Sequence, residues 1–503
     1  MKILTVEQIR QADAFTITNE PIPSIQLMER AANELFKWIK KHYLVSQPIY
    51  LFAGNGNNGG DALALARLLY MGGFTSIQVF VLTISEKLTA DCETNLHSVH
   101  ELGEIPVNYL NESDEFPFIP EDAVIIDGIF GSGLSRSVTG YWAQLIDWIN
   151  RNATEIVAID IPSGLSSDAP FCLGGAVVEA DFTLTFQVPK LAFMFAENYQ
   201  YVGEWILLDI GLHPDYMNSV ETNYELFGLG EAKKLLKPRQ KFSHKGIYGH
   251  GLLIAGSYQK TGAAILSARA CLSSGIGLLT VHVPQSSYQI LQTAVPEAML
   301  HIDDTELEYC SAASLKPYGT IGIGPGIGTK PAIQNAFRNL MENHKKPMVI
   351  DADAINILAE NPNWLDRVPL NSILTPHPGE FDRLTHAHDS GYSRMQTQLE
   401  FSKKHQVIIV LKGANTSITD PEGKIYFNST GNPGMATGGS GDVLTGIILS
   451  LLAQKYQPLD AALLGVYLHG LAGDIASQKV GEDSLIASDI IKCLGKAFLT
   501  LKE

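Results

Sequence analysis

The chain alternates between short runs that are apolar from end to end and longer stretches where apolar residues recur every three or four positions. The first periodic stretch is SIQLMERAANELFKWI. In it Ile25, Met28, Ala32, Leu35, Phe36 and Ile39 fall at i, i+3, i+4 and i+7 type spacings, as in a helix that buries one face. The apolar runs follow: PIYLFAG, SIQVFVLT, DAVIIDG, EIVAIDIPSG, DFTLTF and EWILLDIG in the first part of the chain. From about residue 240 the style repeats in GHGLLIAGS, GLLTVHVP, GTIGIGPG, PMVIDADA, NSILTPHP and QVIIVLKG. Strand-like runs alternating with helical stretches predict crossover units and a mainly parallel sheet in each half.

A chain of 503 residues is too long for one core. Between the two sets of strands lies ETNYELFGLGEAKKLLKPRQKFSHKGIYG, with a polar start, a charged middle and Pro238. We expect domains at 1–220 and 241–503 joined by a linker at 221–240. The halves share a style but no period that aligns, so no repeat is assigned. The predicted fold class is α/β, as two three-layer α/β/α domains.

Composition narrows the partners. With 45% hydrophobic and 18% charged residues, no apolar run of 18 or more, and no signal-peptide core in MKILTVEQIRQADAF, the reading is a cytoplasmic protein with no membrane partner. A net charge of -17 argues against nucleic acid, whose phosphates need Lys and Arg. Cys92, Cys172, Cys271, Cys310 and Cys493 are odd in number, scattered, and never spaced Cys-x-x-Cys. That argues against a secreted disulfide framework and against structural zinc.

Ligands of open α/β sheets collect beyond the carboxyl ends of the strands, where this chain places its glycines and carboxylates. In LFAGNGNNGGDALALARLLYMGG, Gly54, Gly56 and Gly59 satisfy G-x-G-x-x-G, a spacing that sets backbone amides and a helix N-terminus against a pyrophosphate. The following SIQVFVLTISE lacks the acidic residue of a standard dinucleotide site. The distinctive part is Asn57-Asn58-Gly59-Gly60-Asp61, which combines amides and a carboxylate; the alternative is a tight turn with Asp61 capping a helix. VIIDGIFGSGLSRSVTG puts Asp127 at another strand end, and IVAIDIPSGLSSDAP puts Asp160 at a third with Ser163 three residues on. Oxygen ligands from Asn58, Asp127 and Ser163 suit a monovalent cation, leaving Asp160 for proton transfer.

These motifs, in this order and spacing, resemble the NAD(P)H-hydrate epimerase (YjeF N-terminal) family over nearly all of residues 1–215. The resemblance implies a Rossmann-like fold and interconversion of the two epimers of hydrated NADH or NADPH. It implies that Asn57 to Asp61, together with Gly131, Ser132, Gly133, Leu134, Ser135, Arg136 and Ser137, contact the hydrate's phosphates and ribose. Potassium would fall on Asn58, Asp127 and Ser163, and Asp160 would be the substrate-binding and proton-transferring carboxylate.

The second half carries GNPGMATGGSGDVLTG, a glycine loop running into an apolar helix. No G-x-x-x-x-G-K-[ST] occurs, so this is not a Walker loop. The amides of Gly439, Ser440 and Gly441 make an anion hole at a helix N-terminus. Asp442 either caps that helix or takes the proton of a hydroxyl held beside the anion. GIGPGIG follows a strand with little side-chain bulk. LTPHPGEFDRL fixes His377 between two prolines, as a core hydrogen-bonding group or a ligand contact. VLKGANTSITD puts Lys412 at a strand end, and DADAINIL offers Asp351 and Asp353, either as helix caps or as carboxylates for the water shell of magnesium.

The order GPG, DADA, TPHPGE, KG-x-NT and NPGMATGGSGD resembles the NAD(P)H-hydrate dehydratase (YjeF C-terminal) family over about residues 235–500. The resemblance implies a ribokinase-like fold and nucleotide-dependent phosphorylation of the hydrate's hydroxyl, followed by elimination. By that resemblance Lys412, Gly413, Ala414, Asn415, Thr416 and Gly441 bind the nucleotide, as ADP with magnesium. Ala263, Gly326, His377 and Asp442 face the hydrate, and the chain assembles as a homo-oligomer, a tetramer or larger. The competing reading is a small-molecule kinase for a vitamin precursor, with the first half a ligand-binding or scaffold module.

Overall fold

The computed structural model describes residues 1–169, 171, 174–310, 315 and 317–503, so Cys172 lies outside the described residues. The chain divides into two units, Lys2–Thr222 and Asn223–Glu503, the second also including Met1.

The first unit is built on β1 (Ile49–Ala53), β2 (Ile77–Leu82), β3 (Val107–Leu110), β4 (Val124–Gly128), β5 (Glu155–Ile159), β6 (Phe182–Phe186) and β7 (Glu204–Leu208). All pairings are parallel, in the order β3-β2-β1-β4-β5-β6-β7. The middle strands β1 and β4 are buried at every residue, because helices cover both faces of the sheet. Leu35, Leu63 and Val79 pack on one face, Trp142, Leu145 and Ile149 on the other. The expected helix runs Ser24–His42, but Leu27 and Ala31 join Met28, Ala32, Leu35 and Ile39 in the buried stripe, while Ile25 and Phe36 flank it. Strand β3 escaped the sequence pattern because it is an edge strand with Asn108 and Tyr109 exposed. The chain reverses direction across the sheet between β1 and β4, so the crevice beyond their carboxyl ends is the expected ligand position.

The second unit contains β8 (Tyr224–Phe227), β9 (His250–Ile254), β10 (Leu278–Val283), β11 (Met299–Ile302), β12 (Thr320–Ile323), β13 (Val349–Ile350), β14 (Ile373–Leu374), β15 (Ile408–Leu411), β16 (Ser417–Thr419) and β17 (Ile425–Asn428). Its order is β11-β10-β9-β12-β13-β14-β15-β16-β17-β8, with only β16 antiparallel to its neighbours. The switch point falls between β9 and β12. Residues 221–240 are not the linker their polarity suggested. Tyr224–Phe227 forms the edge strand beside β17, and Leu229–Leu235 is a helix of the same unit. Leu226 and Phe227 are buried, and a four-residue strand between polar flanks is too short for periodicity to reveal.

The helix Ser440–Ala453 is buried along nearly its whole length, as an apolar run directly after a glycine loop requires. Its partner Pro458–Val480 is long and apolar enough to cross a membrane by length and composition, yet 67% of its apolar window is buried inside this unit. Both helices pack into one core with Leu253 and Val281.

Candidate functional site

In the first unit the turn after β1 is compressed against its neighbours. A β-carbon on Gly54 would lie 1.9 Å from the Ile129 carbonyl oxygen, and one on Gly59 would lie 1.9 Å from the Gly54 carbonyl oxygen. Gly56 faces open space, with nothing within 4 Å of a β-carbon there. The first two glycines therefore serve packing, and Gly56 leaves room for an incoming group. The helix Asn57–Met71 starts at this opening, so the amides of its first turn, which have no intrahelical acceptor, point into it. Asn57 is exposed at the rim, whereas Asn58, Gly59, Gly60 and Asp61 are buried. Asp61 is not the helix cap: Gly56 holds that position, and Asp61 sits inside the helix among other acids. Burial and the like charges of Asp160, Asp13 and Asp91 push its carboxyl well above the usual range.

Asn58, Asp127 and Ser163 come together. Asp127, 1% exposed, accepts from the Ser163 hydroxyl at 2.6 Å, the Ser163 amide at 2.8 Å and the Ile129 amide at 3.2 Å. The Phe130 carbonyl accepts from the Asn58 side-chain amide at 3.1 Å. Its own amide donates to the Ser163 hydroxyl at 2.7 Å. Burial pushes the Asp127 carboxyl up to about 6, only partly offset by these hydrogen bonds. The loop Gly131–Ser137 continues from there, Gly131 against Asn58 and Gly133 against the Arg10 guanidinium, with Leu134 half-buried and Ser135 and Arg136 exposed.

Asp160 leaves the end of β5 with φ +63°, in the left-handed region that few non-glycine residues adopt. Its Oδ1 meets the Lys190 ammonium at 2.7 Å, the Phe186 amide at 3.2 Å and the Thr185 hydroxyl at 3.4 Å. Burial and the charge of Asp160 raise Asp13 to about 7, with Lys190 opposing.

In the second unit the carboxyl ends of β12, β13, β14 and β15 converge. Asp351 stands at the N-cap position of the helix Ala352–Glu360 but does not cap it. Its Oδ1 accepts from Lys412 at 3.0 Å and its Oδ2 from the Thr445 hydroxyl at 2.6 Å. Asp353 accepts from the Gly328 amide at 2.8 Å and from Lys260 at 3.4 Å, tying down the GIGPGIG loop. Gly326, at φ +65°, presents the site of its missing β-carbon 3.2 Å from Ala263, so these two predicted residues are neighbours.

His377 is a helix cap, not a core group. Its Nδ1 accepts from the Gly379 amide at 3.1 Å and the Glu380 amide at 3.3 Å, and the Glu380 carboxylate in turn accepts from the His377 amide at 2.8 Å. With Nδ1 accepting, the ring proton belongs on Nε2. The side chain is 52% exposed. Lys412 reaches Glu380 at 3.9 Å as well as Asp351. Burial works against its charge, but these two carboxylates hold it above the ordinary lysine value. Gly413 to Thr416 form a turn closed by the Thr416 hydroxyl, which accepts from the Gly413 amide at 3.3 Å and donates to the Gly413 carbonyl at 3.0 Å.

Asp442 lies in the first turn of Ser440–Ala453, whose N-cap is Gly439 and which has no side-chain cap bond. Burial, then the charge of Asp351, lift it to about 7 against the pull of Lys412. The helix amides, an ammonium and a carboxyl poised near neutrality thus share one end of the sheet. Such a set binds an anion and receives a proton beside it.

Sequence reasoning overlooked Arg10, Asp13, Lys190, Glu380 and Thr445. Lys190 had a signal: it is the single charge in the run VPKLAFMF, and its side chain is 1% exposed. Asp13 had none, since its helix Val6–Asn19 shows little segregation of apolar and polar faces.

Residues 24–192 match the family described as YjeF-related protein N-terminus, and residues 251–496 match the NAD(P)H-hydrate dehydratase family. The bifunctional NAD(P)H-hydrate repair enzyme of Moorella thermoacetica is 36% identical, over 100% of this chain and 98% of its own length. The Coxiella burnetii enzyme of the same name is 35% identical over 96% of each chain. Among solved structures, the ADP/ATP-dependent NAD(P)H-hydrate dehydratase of Bacillus subtilis, co-crystallised with ATP and magnesium, is 31% identical at a TM-score of 0.49. It covers 56% of this chain and 100% of its own. Matched along its whole length by enzymes of one name and architecture, the chain belongs to the family of bifunctional NAD(P)H-hydrate repair enzymes.

Proposed function

We propose a division of labour in which the switch-point crevice of the first unit epimerises hydrated NADH or NADPH and that of the second dehydrates the S form. The family's two activities, epimerase and ADP-dependent dehydratase, are carried on separate sheets of this one chain. The observation that carries the residue assignment is the approach of Lys412 to Gly441 at the N-terminus of the helix that carries Asp442, cation for phosphate and carboxylate for hydroxyl.

Water added across the enamine double bond of the reduced ring puts the hydroxyl on the carbon beside the ring nitrogen. In the second unit Asp442 takes the hydroxyl proton as that oxygen attacks the terminal phosphorus of ADP. The bond to the bridging oxygen breaks and AMP leaves. Phosphate then departs from the ring carbon as the neighbouring carbon loses a proton, which restores NAD(P)H. Lys412, the turn Gly413, Ala414, Asn415 and Thr416, and Gly441 hold the nucleotide, while Ala263, Gly326 and His377 hold the hydrate, His377 through its Nε2 proton.

The residues fit a magnesium ion that arrives with the phosphates. Among the described residues no group of three His, Cys, Asp or Glu side chains is placed to hold a metal ion directly. Asp351, Asp353 and Glu380 each already hold a protein donor, so they would meet the ion through its water shell. When bound, magnesium supplies charge neutralisation between the phosphates.

In the first unit, inversion at the hydroxyl-bearing carbon needs a proton given to the departing oxygen and one taken from the returning water. Asp160 is the accepting carboxylate, and Asn57, Asn58, Gly59, Gly60 and Asp61, with Gly131 to Ser137, hold phosphate and ribose. Asn58, Asp127 and Ser163 fit potassium, since Asp127 is a buried carboxylate whose bonds come from neutral donors. The ion would supply one positive charge to the buried carboxylate and order the loop from Phe130 onward. A homo-oligomer and a cytoplasmic location complete the reading.

Purified protein given both hydrate epimers with ADP and magnesium should restore NADH absorbance completely. A plateau at the S fraction removes the epimerase assignment, and no recovery removes the dehydratase. Phosphorylated alcohol accumulating without NADH would instead support the small-molecule kinase.

A further inference from the structure

Lys190 is enclosed in the first unit, its side chain 1% exposed in the segment Val188–Met194, which is buried throughout. A buried ammonium is costly without a partner, and one cation among acids selects which of them carries charge. Its ammonium lies 2.7 Å from Asp160 Oδ1 and 3.4 Å from each of the Phe186 and Val188 carbonyls, so its position is set by three acceptors. Among the described residues, the hydrogen bonds to the Asp160 carboxylate, from Phe186 and Thr185, and the closest approach of Lys190 all fall on Oδ1. Among the described residues none falls on Oδ2, which is the oxygen left to meet a ligand.

We propose that Lys190 is the positioning residue of the epimerase site, clamping Oδ1 of Asp160 so that Oδ2 is presented to the hydroxyl-bearing carbon of the hydrate. This deepens the assignment of Asp160 as the proton-accepting carboxylate and rests on it. The backbone supports the same picture. Asp160 is held at φ +63° with its amide donating to the Leu184 carbonyl at 2.8 Å, so main chain and carboxylate are fixed from β6. The strain of that conformation is understandable if the carboxylate must face a substrate rather than the next turn.

The proton balance is also served. The lysine neutralises Asp160, while Asp13 and Asp61 crowd the same field, and burial and like charge favour their protonated forms. A protonated neighbour gives its proton to the departing hydroxyl, the C–O electron pair leaves as water, and the ring-nitrogen lone pair forms C=N. Water then adds to the opposite face, and Asp160 Oδ2 takes its proton. The proton then passes from Asp160 back to the donor acid through solvent, which closes the cycle with no oxidant or reductant.

The test compares D160N, K190M, K190R and the double D160N/K190M in the full-length protein, assaying conversion of the R hydrate with thermal unfolding measured alongside. K190M should lower kcat for epimerisation by roughly 100-fold while KM for the hydrate moves less than about threefold, as expected when transition-state geometry is lost and binding kept. K190R should recover part of the rate. The double should be no slower than D160N alone, because the two side chains act as one unit. K190M at the wild-type rate, or a double that is slower than D160N by the full K190M factor, overturns the proposal. If K190M fails to fold, the comparison of the double with D160N decides. D160N with full epimerisation sinks the Asp160 reading itself, whereas an inactive D160N beside a fully active K190M sinks only the role of Lys190.

Discussion

The Lys412 ammonium stands 3.3 Å from the point where a β-carbon on Gly441 would begin. The lysine that a phosphate loop would carry in its own sequence is thus delivered from the end of β15, where Asp351 and Glu380 orient it. The helix supplies amides, the strand supplies charge, and the third position of the helix is left for an acid. Gly441→Ala places a methyl between the ammonium and the helix amides. We expect a nucleotide KM raised by about 10- to 100-fold, the loss of one charge-assisted hydrogen bond, with epimerisation unchanged. Steady-state titration of ADP measures it, and an unaltered KM would remove Gly441 from the nucleotide site.

With Asp442 as the proposed base, its value of about 7 should set the pH dependence of dehydration. The folded state favours its protonated form, so stability from this group is greatest in acid and declines as pH rises from the usual carboxylate value through about 7. Activity has the opposite sign, because a base works only when ionised. Dehydration should climb about tenfold per pH unit below 7 and level off above it. Asp442→Asn should lower the rate on the order of 100-fold to 10,000-fold and abolish the climb, while R and S hydrates still interconvert. Rapid turnover by this variant would assign the base elsewhere.

Much of this was legible in the sequence, and the limits have physical causes. Buried parallel strands such as Leu51–Ala53 and Ile408–Leu411 read as unbroken apolar runs because both faces are covered. The edge strand at Val107 and the four-residue strand at Tyr224 carry no such signature. Among candidate site residues, those next to strand ends were visible since glycine and carboxylate stand out against apolar runs. What residues do to one another was not. Asp351 looked like a cap or a magnesium contact and is the anchor of Lys412. His377 on its own looked like a core hydrogen-bonding group and is an exposed cap. The role of Asp351 arises from pairings across more than sixty positions, which no local pattern encodes, whereas the His377 cap is made within three residues by a side chain that seldom caps.

Potassium should stabilise the first unit, and more so above pH 6 than below. Asp127 has a folded value of about 6 against 3.8 for an ordinary aspartate. Between those values the folded state holds the extra proton, so stability from this group falls as pH rises and its cost is complete above about 6. A cation bound by Asn58, Asp127 and Ser163 offsets that cost only when the carboxylate is ionised. Thermal unfolding in choline and in potassium chloride, at pH 5 and pH 8, should show the larger potassium-dependent rise at pH 8. Asp127→Ala should erase the difference and weaken the potassium dependence of epimerisation. An equal ion response in the variant would sink the cation assignment.

His377 combines two roles that substitution can separate. Its Nδ1 caps the helix Pro378–Leu384, and its Nε2–H is the group we propose it offers to the hydrate. Asparagine is a good cap and keeps an acceptor close to the main chain, but it cannot extend a donor as far as Nε2. His377→Asn should therefore keep the wild-type melting temperature and raise KM for the hydrate, leaving KM for ADP alone. His377→Ala removes both functions and should cost about 1 kcal/mol of stability besides. It also frees Glu380, which the cap holds against the His377 amide and toward Lys412, so the alanine variant alone should disturb nucleotide binding. If asparagine weakens ADP and hydrate equally, the imidazole acts through the cap and does not touch the substrate.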